Sequence, residues 1–188
     1  MAPPLPPTVR KNLLALARRA IGVYLSEGRR LMVGVDCPSV APEPRGAFVT
    51  LKRRDGALRG CIGTILPSGP LDETVARMAV SAAAEDPRFP SVSPSELQEL
   101  NIEISALTVP EPVRAVEAIE VGRHGLIVSR GGRRGLLLPQ VPVEWGWGKQ
   151  TFLEQTCLKA GLPRGAWREP GTRMEWFEAE VWGEEAPE

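Results

Sequence analysis

The sequence predicts an α+β fold, and three observations carry that expectation. Two hairpin signals, Asp55-Gly56 and Gly131-Gly132, each lie between short strand-like runs. The segment Leu100–Val109 alternates apolar and polar residues with a period of two, as a half-buried strand does. The strand patterns also fall outside simple β-α-β alternation, which argues against a doubly wound parallel sheet.

The elements follow in order. Residues 1–7, Met-Ala-Pro-Pro-Leu-Pro-Pro, predict a disordered lead-in. Thr8 is placed to cap a helix reaching about Leu25, because Val9, Leu13, Leu16, Ala20 and Tyr24 recur at helical spacing with basic residues between them. Ser26–Pro44 is a turn-rich connection. Gly46–Lys52 reads as a strand and Ala57–Ile65 as its return. Leu71–Ala84 is helical, with Asp72 and Glu73 in the first turn where the helix dipole favours acids.

Asp86-Pro-Arg-Phe-Pro90 cannot be helix, since its prolines fix φ and remove donors. Pro94 opens a short helix. In the strand at 100–109, Ile102, Ile104 and Ala106 share one face, and Asn101, Glu103 and Ser105 the other. Gly125–Arg130 and Arg133–Leu138 form the second hairpin. Gln150–Ala160 is a helix closed by Gly161 as a left-handed cap. Thr172–Trp182 is the last strand, and residues 183–188 are expected to fray. No linker separates independent domains, so 8–182 reads as one folded region.

Composition narrows the function classes. The 188 residues are 43% hydrophobic and 24% charged, enough to build a core. Lys plus Arg (23) balances Asp plus Glu (23), so no overall field draws the chain to nucleic acid or anionic lipid. One Tyr and four Phe offer little base stacking, and a nucleic-acid partner is not expected. No apolar run approaches the ~20 residues that span a bilayer, and no signal peptide is evident; the expected location is the cytoplasm, with no membrane partner. Cys37, Cys61 and Cys157 are far apart without Cys-x-x-Cys spacing, and His124 is the sole histidine, so no metal site is expected. Neither G-x-G-x-x-G nor a P-loop is present, and the cofactor is unknown.

Chemistry concentrates at Leu58-Arg-Gly-Cys-Ile-Gly-Thr64. Glycines weaken a strand and mark a bulge or a close approach by a ligand or another backbone. Gly60 and Gly63 bracket Cys61 and would expose backbone N–H groups beside its thiol, where an anion or a carbonyl oxygen fits. Arg59 adds a forked donor if it faces the same side. The alternative is that Cys61 is a small buried residue in a strand that needs glycines for packing. A histidine held beside a thiol makes a nucleophile, which makes His124 a candidate partner or else a surface or capping residue. Glu103 is a candidate acid or base, or a solvated side chain. Arg88 either reaches a ligand from its rigid loop or forms a lock with Asp86. Trp145 and Trp147 either anchor a loop or wall a pocket. Cys157 reads as core.

Taken together, Phe48-Val-Thr-Leu51, Leu58–Thr64, Asp86–Pro90, Ile102-Glu-Ile-Ser105, His124-Gly-Leu126 and Leu137-Leu-Pro-Gln-Val141 resemble the AMMECR domain family, the AmmeMemoRadiSam system protein A group. The resemblance runs from about residue 8 to residue 182. It implies two unequal, closely packed lobes, each with an antiparallel sheet flanked by helices, and a groove between them near the heptapeptide. It also implies a setting with Memo-type and radical-SAM pathway proteins, and a site centred on Cys61 rather than a defined reaction. Thr64 and Gln140, within the matching motifs, complete the candidate contacts to a small-molecule ligand. One departure is Gly146-Trp147-Gly148, where the family commonly carries Gly-Trp-Asp.

Overall fold

The computed structural model describes residues 4–184. In chain order these form α1 (Pro7–Glu27), β1 (Ala47–Arg53), β2 (Leu58–Thr64), α2 (Leu71–Ala84), α3 (Pro94–Leu97), β3 (Leu100–Leu107) and β4 (Glu111–Pro112). There follow β5 (His124–Arg130), β6 (Arg133–Leu137), α4 (Gln140–Glu144), α5 (Lys149–Lys159) and β7 (Arg173–Gly183). The fold is α+β with antiparallel strand pairing throughout the named ladders. Two compact units divide the chain: one runs to Leu107 and resumes at Glu180, the other is Thr108–Ala179. No helix among the described residues is long and apolar enough to cross a membrane.

In the first unit β1 is central, antiparallel to β2 on one side and β3 on the other. Period-two alternation sends Ala47, Val49, Leu51, Ile102, Ile104 and Ala106 to one face, where all six are buried. Helices α1 and α2 cover that face with Leu13, Ala17, Ala20, Ile21, Val75, Ala79 and Ala82. Each large aliphatic side chain buried there contributes roughly 1.5–3 kcal/mol before entropy is counted. The three expected strands therefore share one sheet, with the two expected helices packed on it.

The start of α1 differs from the sequence expectation. Pro6, not Thr8, is the N-cap, and Pro7 occupies the first helical turn, where its missing N–H would lack an intrahelical partner anyway. Leu5 is ordered too, since its N–H donates to Glu180 Oε2 at 2.9 Å. Of the expected lead-in, residues 1–3 lie outside the described residues. At the other end Glu184 does not fray. Its carboxylate takes the Arg18 guanidinium and the Ile102 N–H, and its own N–H donates to the Ile102 carbonyl. Residues 185–188 lie outside the described residues. Asp72, read as a dipole-matching charge, is fully buried and accepts from Ser39 Oγ and from the N–H groups of Val40 and Ala41.

In the second unit β7 lies between β4 and β5, and β5 continues into β6. The Gly131-Gly132 turn has φ of 56° and 78°, the positive pair that a tight two-residue hairpin requires. Helix α5 approaches β6 so closely that a Cβ on Gly135 would lie 2.2 Å from the Ala160 nitrogen. Phe152, Leu153, Cys157, Leu126, Val128 and Ile119 are buried in this unit's core. Its Gly161 cap has φ 70°, as the sequence predicts. Helix α4, which contains Pro142, was not expected from the sequence.

Glu180 concentrates the polar energetics of the first unit. It accepts from Arg45 Nη1 and Nη2 at 3.0 Å, from Arg10 Nη2 at 2.8 Å and from the Leu5 N–H. Arg45 is itself buried and also donates to the Leu107 and Ala106 carbonyls. Burial pushes the Glu180 carboxyl up, but the Leu5 N–H and the two guanidinium groups outweigh it and leave the group below its ordinary value. Glu180→Gln should therefore cost about 2–4 kcal/mol at neutral pH, because Arg45 would keep a neutral partner in a buried position. Thermal melts should show a drop of roughly 2–4 °C per kcal/mol, and an unchanged midpoint would refute this role.

Candidate functional site

Cys61 faces away from the helices. Strand pairing puts it opposite Thr50 on β1, and Thr50 opposite Glu103 on β3, so the three form a row across the sheet. All three side chains are half-buried. Thr50 Oγ1 donates to Cys61 Sγ at 3.3 Å. At the far end Lys52 Nζ donates to Glu103 Oε2 at 2.8 Å, so Glu103 is one half of an exposed-side ion pair. Such a pair contributes little stability, on the order of 0–1 kcal/mol.

β2 lies at the end of the strand order, and the segment Asp86–Pro90 closes its free side. The Cys61 N–H donates to Asp86 Oδ2 at 2.9 Å, and Arg88 Nη2 donates to the Cys61 carbonyl at 3.3 Å. Two side chains thus satisfy the main-chain pair that a neighbouring strand would otherwise engage. Asp86 and Arg88 are bound to each other as well, Nε to Oδ1 at 3.0 Å and Nη2 to Oδ2 at 2.7 Å. The lock expected for this loop exists, and its carboxylate also holds the signature strand. The Arg88 guanidinium, opposed by burial and helped by the Cys61 N–H, holds the Asp86 carboxyl well below the usual carboxylate range.

Arg59, a candidate ligand contact, is bound to protein groups on all three nitrogens. The pairing of β1 with β2 passes from Leu51–Gly60 to Lys52–Leu58, which leaves Arg59 as the bulged residue without a partner. A bulge re-aims the side chain. Arg59 is buried, with Nε and Nη2 on Glu96 at 2.6 and 3.0 Å and Nη1 on the Pro90 carbonyl at 2.9 Å. A buried guanidinium requires such partners, and α3 supplies the carboxylate.

The glycines that suggested ligand approach are filled by the protein itself. A Cβ on Gly60 would lie 2.2 Å from the Ala82 carbonyl oxygen of α2, and one on Gly63 would lie 2.2 Å from the Phe48 ring. Both are packing glycines. Thr64 turns its hydroxyl to the Leu66 carbonyl at 3.3 Å.

His124 and Gln140 belong to the second unit. The buried His124 ring accepts the Glu120 N–H at Nδ1, 3.0 Å away, and lies 4.5 Å from the Trp176 ring centroid. Burial, with Arg123 nearby, pushes its pKa down, so the imidazole is neutral and pins the turn before β5. It fills the capping role left open by the sequence. Gln140 opens α4 and is half-buried. Trp145 and Trp147 stack at 6.0 Å, with Trp145 69% exposed. Sequence reasoning missed Thr50, whose place beside Cys61 depends on strand register, and the contact of Asp86 with the Cys61 peptide. Among the described residues no group of His, Cys, Asp and Glu is placed to hold a metal.

The AMMECR1 family model matches residues 14–182. The chain belongs to the AMMECR1 family. A protein of Thermococcus gammatolerans is 50% identical over 184 residues, covering 93% of this chain and 90% of its own. Protein MK0488 of Methanopyrus kandleri is also 50% identical, with 94% and 88% covered. Among solved structures, the crystal structure of Uncharacterized Protein PH0010 from Pyrococcus horikoshii matches with a TM-score of 0.85 at 45% identity, over 96% of this chain and 93% of that one. The family resemblance read from the motifs is thus shown, and with it the α+β fold.

Two outcomes follow from this geometry. Gly60→Ala should destabilise the protein by about 1–3 kcal/mol, because its methyl group meets a helix backbone that cannot swing aside; a melting point equal to the parent's would return Gly60 to the ligand reading. Asp86→Asn should lower stability at neutral pH and flatten the acid limb of the stability curve. The Asp86 pKa is depressed in the folded state, so its contribution is present above the unfolded value of about 3.9 and is lost as pH falls below that value. Urea titrations from about pH 7 down to about pH 2.5 measure it, and parallel curves for parent and variant would contradict the assignment.

Proposed function

We propose that the Leu58–Thr64 strand is the working site of a protein that handles a small molecule, with the Cys61 thiol as its reactive or contacting group. The observation that carries this reading is the placement of the thiol. It sits on the half-exposed face of the sheet, with its peptide fixed on both polar atoms and a hydroxyl aimed at its sulfur. A packing cysteine needs none of this, and Cys157 shows the contrast: it is fully buried, and burial pushes its thiol up. A positioned thiol on a rigid strand suits nucleophilic attack or reversible capture, since the thiolate is the reacting form. Glu103, tied to Lys52, stands at the far end of the same row as a polar wall. Neither His124 nor Arg59 carries the reading, because each already has a structural post.

A second reading, a non-catalytic partner module working beside Memo-type and radical-SAM proteins, is favoured by the exposed Trp145 and Val143. The two separate cleanly. In the native protein Cys61 should alkylate more than about tenfold faster than Cys157, by peptide mass spectrometry. Small molecules that co-purify with the parent should be missing from Cys61→Ala. Labelling of Cys61 only after unfolding would sink the small-molecule reading and leave the module.

A further inference from the structure

The surroundings of Cys61 also select among ligands, an inference that rests on the reading just given. Three cations line or flank this face, and each is paired with a carboxylate. Arg59 spends all its nitrogens on Glu96 and Pro90, and Lys52 Nζ is held by Glu103. Arg88 differs. Its Nε and Nη2 are fixed by Asp86 and by the Cys61 carbonyl, while no described residue takes Nη1. The Asp86 side chain is 2% exposed and that of Arg88 is 53% exposed, so the carboxylate lies inside and the guanidinium reaches solvent. The Phe89 ring lies 5.5 Å from the guanidinium carbon.

We propose that the site takes an anionic small molecule, whose carboxylate or phosphoryl group docks on the free Nη1 edge of Arg88 while its body lies over the Cys61 thiol. A planar fork already held in place loses little freedom on binding, and it fits such anions better than a flexible ammonium does. Asp86 cancels much of the long-range field, so recognition works at contact distance. The bond from Arg88 Nη2 to the Cys61 carbonyl holds this guanidinium beside the thiol-bearing residue, which assigns the charged group to the Arg88 side.

A pair of alkylating probes tests this. Iodoacetate carries a carboxylate and iodoacetamide does not, while both react alike: the Cys61 sulfur attacks the methylene carbon, an S–C bond forms, and iodide leaves with the bonding pair as the thiol proton passes to buffer. Rates are read at the Cys61 peptide in a Cys37→Ser background. The iodoacetate-to-iodoacetamide ratio should exceed that of N-acetylcysteine on the order of fivefold in low salt. It should fall toward the N-acetylcysteine value in about 0.5 M KCl. Arg88→Gln should abolish the preference, and Arg88→Lys should keep part of it. Should Arg88→Gln fold poorly, the salt series on the parent protein decides alone. A ratio equal to that of N-acetylcysteine, or one untouched by salt or by Arg88→Gln, overturns the anionic ligand while leaving the thiol site standing. A Cys61 inert to both reagents in the native state overturns the site and this inference together.

Discussion

The buried carboxylate of Asp86 joins two problems of the first unit and answers both. Strand β2 has no strand neighbour on one side, so the N–H and carbonyl of Cys61 need other partners. The segment that passes there, Asp86-Pro-Arg-Phe-Pro90, cannot supply them from its main chain in strand form, because its two prolines limit both conformation and donors. Side chains take over: Asp86 accepts and Arg88 donates, and each also satisfies the other. Phe89, flanked in sequence by both prolines' constraints, lies within cation–π range of Arg59 and Arg88. The conformation of the loop and the position of the thiol are therefore one arrangement rather than two.

The legible part of this fold was the part governed by period and punctuation. The alternation of Ile102, Ile104 and Ala106 placed β3, the Gly131-Gly132 pair placed the second hairpin, and Gly161 marked the end of α5. What escaped depends on contacts distant in sequence. Arg59 looked like a neighbour of Cys61 by simple alternation, but a bulge removes it from the face and Glu96, far along the chain, claims it. Gly60 and Gly63 announced a close approach correctly, and Ala82 and Phe48 make it. A glycine signals that space is needed without saying what fills it. The cap falls on Pro6 rather than Thr8, and Leu5 just before it is tied to Glu180, a residue that sequence proximity cannot associate with it.

His124 shows the same limit from another side. A single histidine in a chain with a candidate thiol invites pairing, yet its ring is engaged within its own unit. Nδ1 is occupied by a main-chain donor, the ring lies against Trp176, and burial keeps it neutral. The cost of burying a polar ring is met by that one hydrogen bond and by aromatic contact, which is the usual settlement for a structural imidazole.

Charge balance then constrains what kind of recognition the sheet face can perform. The chain carries equal numbers of acids and bases, and near Cys61 each cation is matched locally: Arg59 with Glu96, Arg88 with Asp86, Lys52 with Glu103. Paired charges cancel at a distance, so such a surface does not draw ligands from afar as an unbalanced one does. Selection must come from donors left unpaired at contact range, where desolvation magnifies a single hydrogen bond. On that ground the fixed geometry of Arg88 matters more than its charge. An arginine free to swing would spend binding energy on its own ordering, whereas one already tied to Asp86 offers its remaining edge at little cost. The clamp that closes the edge of β2 thereby also prepares a pre-ordered donor beside the thiol.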